Sequence, residues 1–154
     1  MTMLKLFLHN LGLCLLAYIV AVLVGGVAVV IRNIAIYGIN DIVHSVPRDI
    51  PLIVNVILWL FVFVNLAIFF FFGTKLNITE NHLINFLFAF SVLPFTILMV
   101  LFGGYLEIFI QAPFLNLVLV IENFNKSFYQ TGVILTFLPP IMIWLGILFQ
   151  AKKT

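Results

Sequence analysis

The chain has 154 residues, 65% of them apolar and only 8% charged, with seven Lys and Arg against five Asp and Glu; its mean hydropathy is +1.32. Soluble domains carry roughly 45–50% apolar and about 25% charged residues, so too few polar side chains exist here to cover a surface facing water. Water-soluble enzyme folds are excluded, and an integral membrane protein, one membrane domain over residues 1–154, is the class that remains.

A hydrocarbon core about 30 Å thick takes roughly 20 apolar residues of helix. Four uncharged runs have about that length, 6–31, 52–72, 84–102 and 133–149, with 26, 21, 19 and 17 residues. A barrel would alternate polar and apolar residues in short strands, which these solid runs do not. Backbone groups in lipid must be satisfied within their own segment, so the runs are expected to be helices. The expected fold is all-α with four transmembrane helices, a short amphipathic helix after the first and a long apolar loop, re-entrant or interfacial, before the last.

The first run is too long for the apolar part of a secretory signal and no small-x-small cleavage pattern follows it, so it reads as an uncleaved anchor. Leu13 before Cys14 is too large for a lipoprotein cleavage box, and a lone Cys forms no internal disulfide. Ala17, Ala21 and Gly25 recur every four residues, with Leu13 and His9 on the same stripe. Association in lipid relies on close backbone approach through small residues, so a second helix is expected along this face. In the stretch that follows, Ile36, Ile39, Ile42, Val43 and Val46 share one helical face, ended by Pro47, the pattern of a helix lying in the headgroup boundary. Asp41 and His44 on its other face make only two ligands, short of a metal site.

In the second run Asn55 and Asn65 are ten residues apart, about 80° around a helix of 3.6 residues per turn, so both are expected to face inward with Trp59 between them. As interhelical hydrogen-bonding groups they serve as structural glue or, with Ser91, Thr96 and Thr136, as a thin polar lining. Pro94 in the third run and Pro139 with Pro140 in the fourth are expected to kink or unwind their helices. Between these runs lies an apolar stretch, 105–132, that is expected to cap the bundle, dip into the bilayer or offer a docking surface. Glu107, beside Gly103 and Gly104, is its candidate functional acid. A fifth crossing by 105–121 would bury Glu107 and Gln111, which favours the re-entrant reading. The triplets at Asn77 and Asn125 match a glycan acceptor pattern but fall on opposite sides of a four-span layout, and we discount both.

Placing both termini in the cytoplasm puts Lys5, Lys75, Lys152 and Lys153 inside against Arg32, Arg48 and Lys126 outside, a narrow vote for a multi-pass protein of the cell membrane with cytoplasmic termini. His9, His44 and His82 lie on separate segments, and no paired carboxylates, nucleophile with base, phosphate loop or basic aromatic patch is visible. No catalysis, cofactor, metal or nucleic acid is expected. The expected partners are the lipid bilayer and a membrane protein or a second copy of the chain. The expected role is that of an accessory subunit, chaperone or immunity-type partner; the alternative is a channel or transport subunit for an ion or small solute.

Overall fold

The computed structural model describes residues 2–37, 52–94, 96–97, 114, 117 and 135–152. Among the described residues the fold is all-helical, with four helices and no strand. Helix α1 covers Met3–Tyr37, 35 residues or about 52 Å at 1.5 Å per residue. It was expected to end at Ile31, but it runs on through Arg32 and Asn33 because no glycine or proline interrupts the chain between Gly26 and Gly38. The amphipathic stretch thus begins as a continuation of α1, with Ile36 buried, and the remainder, with Asp41, His44 and Pro47, lies outside the described residues.

Helix α2 covers Leu52–Gly73, 22 residues, about 33 Å and enough for a hydrocarbon core. Its last carbonyls are taken by a tightened turn: the Thr74 and Lys75 amides donate to Phe71 and Phe72 at 3.1 and 3.0 Å, and the Thr74 hydroxyl donates to Phe71 at 2.7 Å. Lys75 then folds back with Nζ 5.2 Å from the Phe71 ring centroid, a cation–π contact at the helix end.

The third and fourth runs break where prolines forbid a continuous helix. Helix α3 covers only His82–Phe90 and is capped by Asn81, whose side chain accepts from the Leu83 amide at 2.9 Å. Pro94 has no N–H for the Phe90 carbonyl. The chain turns at Ser91 and Val92 and resumes helical geometry at Leu93 and Pro94, with the Thr96 amide on the Val92 carbonyl at 3.0 Å. Helix α4 covers Leu138–Ala151, with Pro139 and Pro140 in its first turn and the Ile141 amide closing the first bond onto Phe137 at 3.2 Å. These two prolines therefore open a helix instead of bending one, since the amides of a first turn have no intrahelical partner to lose. At 14 residues, about 21 Å, α4 is too short to cross a hydrocarbon core alone.

Contacts fix the directions of the helices. Asn10 of α1 pairs with Asn77 just after α2, and eight residues on Tyr18 meets Phe69, rings 5.0 Å apart, so α1 and α2 are antiparallel. Gly73 of α2 lies against Ile143 of α4, and Phe70 meets Gly146 and Phe149, so α4 is also antiparallel to α2. Helix α3 fills the space between, with Phe86 edge-on to Trp144 at 5.4 Å and Phe88 6.1 Å from Phe7 of α1. The core, which includes Ala17, Ala21, Val62, Phe69, Ala89 and Ile143, lies toward the Gly73 end of α2.

Outside this core the long helices turn their apolar residues outward. Leu23 is 68% exposed, Leu52 80% and Phe63 62%, and the most apolar stretches of α1 and α2 are only 28% and 22% buried. A core helix of a soluble protein would show the reverse. Both helices are long and apolar enough to cross a membrane.

Candidate functional site

The small residues on α1 form one buried stripe: Cys14, Ala17, Ala21, Gly25 and Ala28, at the spacing that keeps one face of a helix toward a partner. Ala17, Ala21 and Gly25 lie on it. His9 and Leu13, expected on the same stripe, do not: His9 is exposed and Leu13 half-buried. Their neighbours Asn10 and Cys14 take the inward positions.

Asn10 is fully buried. Its carboxamide nitrogen donates to the Asn77 carbonyl at 2.9 Å and its oxygen accepts from the Asn77 amide at 3.0 Å. Two residues on the pattern repeats from α3. The Asn85 carboxamide donates to the Thr79 carbonyl at 2.7 Å and accepts from the Thr79 amide at 2.7 Å and from its hydroxyl at 3.0 Å. A carboxamide presents one donor and one acceptor side by side, as a peptide group does, so the two asparagines hold 77–79 as neighbouring strands would. This polar knot joins α1, the α2–α3 connection and α3 at one end of the bundle, and all its bonds but the one from the Thr79 hydroxyl run to the chain's own backbone.

One turn deeper the Phe88 carbonyl, left free by the end of α3, accepts from the Ser91 hydroxyl at 2.8 Å and the Ser91 amide at 3.3 Å, with Cys14 Sγ at 3.8 Å. Thr96 is buried with its hydroxyl on the Leu93 carbonyl at 3.0 Å. Thr136, ahead of α4, is fully buried.

Asn65 is fully buried, on a stripe with Leu58, Val62, Phe69 and Gly73. Asn55, three residues before Leu58, falls near the same stripe but is exposed, because it stands in the first turn of α2, far from the end where α3 and α4 pack. The two amides are therefore not brought together. Pro94 is exposed, and Pro139 and Pro140 are buried at the start of α4. Glu107 lies outside the described residues. Phe114, from the long apolar stretch, is buried with its ring 6.1 Å from Phe69.

A close backbone contact between helices involves two glycines that sequence reasoning missed. A Cβ on Gly73 would run into the Ile143 carbonyl, and one on Gly146 into the Phe70 carbonyl and, at 2.9 Å, the Gly73 Cα. The backbones of α2 and α4 touch there, a contact that only glycine on both sides allows. Asn10 and Asn85 were also missed, although an amide inside an uncharged run is itself a signal.

Among the described residues no group of three His, Cys, Asp or Glu side chains is placed to hold a metal ion. No family model matches the chain, and neither a curated protein nor a solved structure matches it.

Proposed function

We propose that this chain is a non-catalytic integral protein of the cell membrane, with the third and fourth apolar runs also embedded in lipid. In this reading it acts by packing its helices and the apolar stretch before α4 against another membrane component, as an accessory, chaperone or immunity-type partner. The observation that carries the reading is the outward apolar surface of α1 and α2, only 28% and 22% buried over their most apolar stretches, combined with amides that are used on the chain's own backbone. Such a molecule offers a partner shape and apolar area, and helix association in lipid depends on packing of that kind.

A channel or transport subunit is the second reading. It is favoured by the interruption of the helix at Ser91 and Val92, near the buried Thr96, since discontinuous helices line many ion and solute paths. One experiment separates the two. Isolation from native membranes in mild detergent should recover a stoichiometric second membrane protein, and vesicles holding the chain alone should carry no solute. Recovery of the chain alone, with flux that Glu107→Gln alters, would reject the accessory role in favour of transport.

A further inference from the structure

Lys152, which caps the end of α4, stands at a depth where a membrane protein places few charges. Gly146 packs beside Gly73, a Cβ on it falling 2.9 Å from the Gly73 Cα, and Gly73 ends α2 one residue past its uncharged run 52–72. Because α4 is antiparallel to α2, Lys152, six residues beyond Gly146, lies back along α2 by about 9 Å. In the membrane reading proposed above, its backbone is therefore inside the hydrocarbon layer, where a charged side chain needs a partner or a path to the headgroups. Among the described residues the sole acid is Glu80, in the α2–α3 connection on the other side of Gly73, so no described carboxylate is placed to pair with it.

The Lys152 side chain lines a groove. With Phe70 of α2 and Leu145, Leu148 and Phe149 of α4 it bounds an open cavity of about 370 Å³, within the size range of small-ligand sites. The four α4 residues are spaced i, i+3, i+4 and i+7, on one face of the helix. Leu145 and Phe149 are 44% and 47% exposed, so the groove opens outward, away from the core. Helical side chains lean toward the start of their own helix, which for Lys152 is the Gly73 end. Its stem therefore runs along the groove and carries the ammonium toward the nearer headgroup layer. The dipole of α4 favours a cation at this end, which accounts for the charge but not for the apolar groove that it enters. One cation among four apolar walls complements a molecule with one anionic group on a hydrocarbon chain, the layout of an anionic phospholipid.

We propose that this groove binds one anionic phospholipid, its phosphate on the Lys152 ammonium and an acyl chain along Phe70, Leu145, Leu148 and Phe149. The assignment rests on the membrane reading and deepens it by naming a lipid that the α2–α4 face selects. The full chain, purified in mild detergent and given equal amounts of phosphatidylglycerol and phosphatidylcholine with the same acyl chains, should retain one phosphatidylglycerol by native mass spectrometry. Phosphatidylcholine should be retained about tenfold less, the scale of one charge-assisted contact. Lys152→Gln should abolish the preference and Lys152→Arg should keep it. Lys75→Gln should also keep it, since that cation at the same end of α2 is engaged with Phe71. Leu148→Trp, which fills the groove, should reduce retention of both lipids. Equal retention of the two lipids by the wild-type chain overturns the proposal, as does wild-type behaviour of Lys152→Gln or Leu148→Trp. Equal loss of preference in Lys75→Gln and Lys152→Gln overturns it too, because diffuse attraction to basic side chains would then be the cause. A photoreactive residue in place of Leu148 should crosslink to lipid in native membranes; a crosslink to a protein assigns the groove to a partner helix and overturns the lipid. All of these are read on protein that pellets after alkaline carbonate washing, so they leave the membrane reading intact, whereas release into the supernatant overturns both.

Discussion

At Gly146 a single methyl group decides whether two helices can touch. A Cβ there would meet the Phe70 carbonyl and the Gly73 Cα, and a Cβ on Gly73 would meet the Ile143 carbonyl. All of these neighbours are backbone, which cannot rotate aside as a side chain can. Gly73→Ala and Gly146→Ala should each lower stability by about 1–3 kcal/mol, the range for overpacking a tight interior, seen as a lower thermal midpoint in detergent. Gly12→Ala and Gly26→Ala are the controls: nothing lies within 4 Å of a Cβ at either position, and alanine favours helix over glycine, so their midpoints should hold or rise. An unchanged midpoint for Gly146→Ala would show that the crossing is not made. The asparagines act by satisfaction and not by space. Asn10→Ala removes both partners of the Asn77 main chain, and each such hydrogen bond contributes about 0.5–1.5 kcal/mol net. Because Lys75 is exposed in the same connection, limited trypsin digestion at that site should accelerate in Asn10→Ala and in Asn85→Ala. Digestion at the wild-type rate would show that the clamp does not hold the connection.

At the scale of elements, counting uncharged residues captures length but not continuity. Runs 6–31 and 52–72 became α1 and α2, with α1 extended to Met3 and Tyr37, because no proline interrupts either run. Runs 84–102 and 133–149 had the right length, yet the chain turns at Ser91 and Val92 and again at Thr136 and Phe137. Both breaks stand two and three residues before a proline, within the turn whose carbonyl loses its partner to the missing N–H. The expectation of a kink mistook a first-turn proline for an interior one. Partners across helices were not legible at all: Gly73 and Gly146 are 73 positions apart in the chain, and no local pattern says that one glycine faces another. The small-residue stripe at Ala17, Ala21 and Gly25 was legible because its partners lie on one helix at a fixed spacing. The first-turn placement has a direct consequence. Pro139→Ala should alter stability by less than about 1 kcal/mol, since a first-turn residue loses no intrahelical bond by being proline. A loss of about 3 kcal/mol or a change in helix content by circular dichroism would place Pro139 inside a longer helix.

At the scale of the molecule, insertion and packing rest on different parts of the chain. In the membrane reading proposed above, insertion rests on α1 and α2, whose uncharged runs 6–31 and 52–72 measure about 39 and 32 Å and each exceed the hydrocarbon thickness. The surplus in α1 must extend past the bilayer or be absorbed by tilt. Packing follows from α3 and α4, which add little spanning length but supply Ala89, Ile143 and Ile147 to the core and the glycine contact to α2. Helices in lipid insert first and associate second, so the two roles should separate on truncation. A chain ending at Phe137 should remain in the carbonate-resistant membrane fraction, because the two helices long and apolar enough to cross a membrane are intact. In mild detergent it should elute earlier and more broadly than the full chain on size exclusion, because the Gly73 face of α2 is left without the backbone that fits it. Release of the truncated chain from the membrane would show that α4 is needed for insertion itself, and an unaltered elution profile would show that the α2–α4 contact contributes nothing to the assembled bundle.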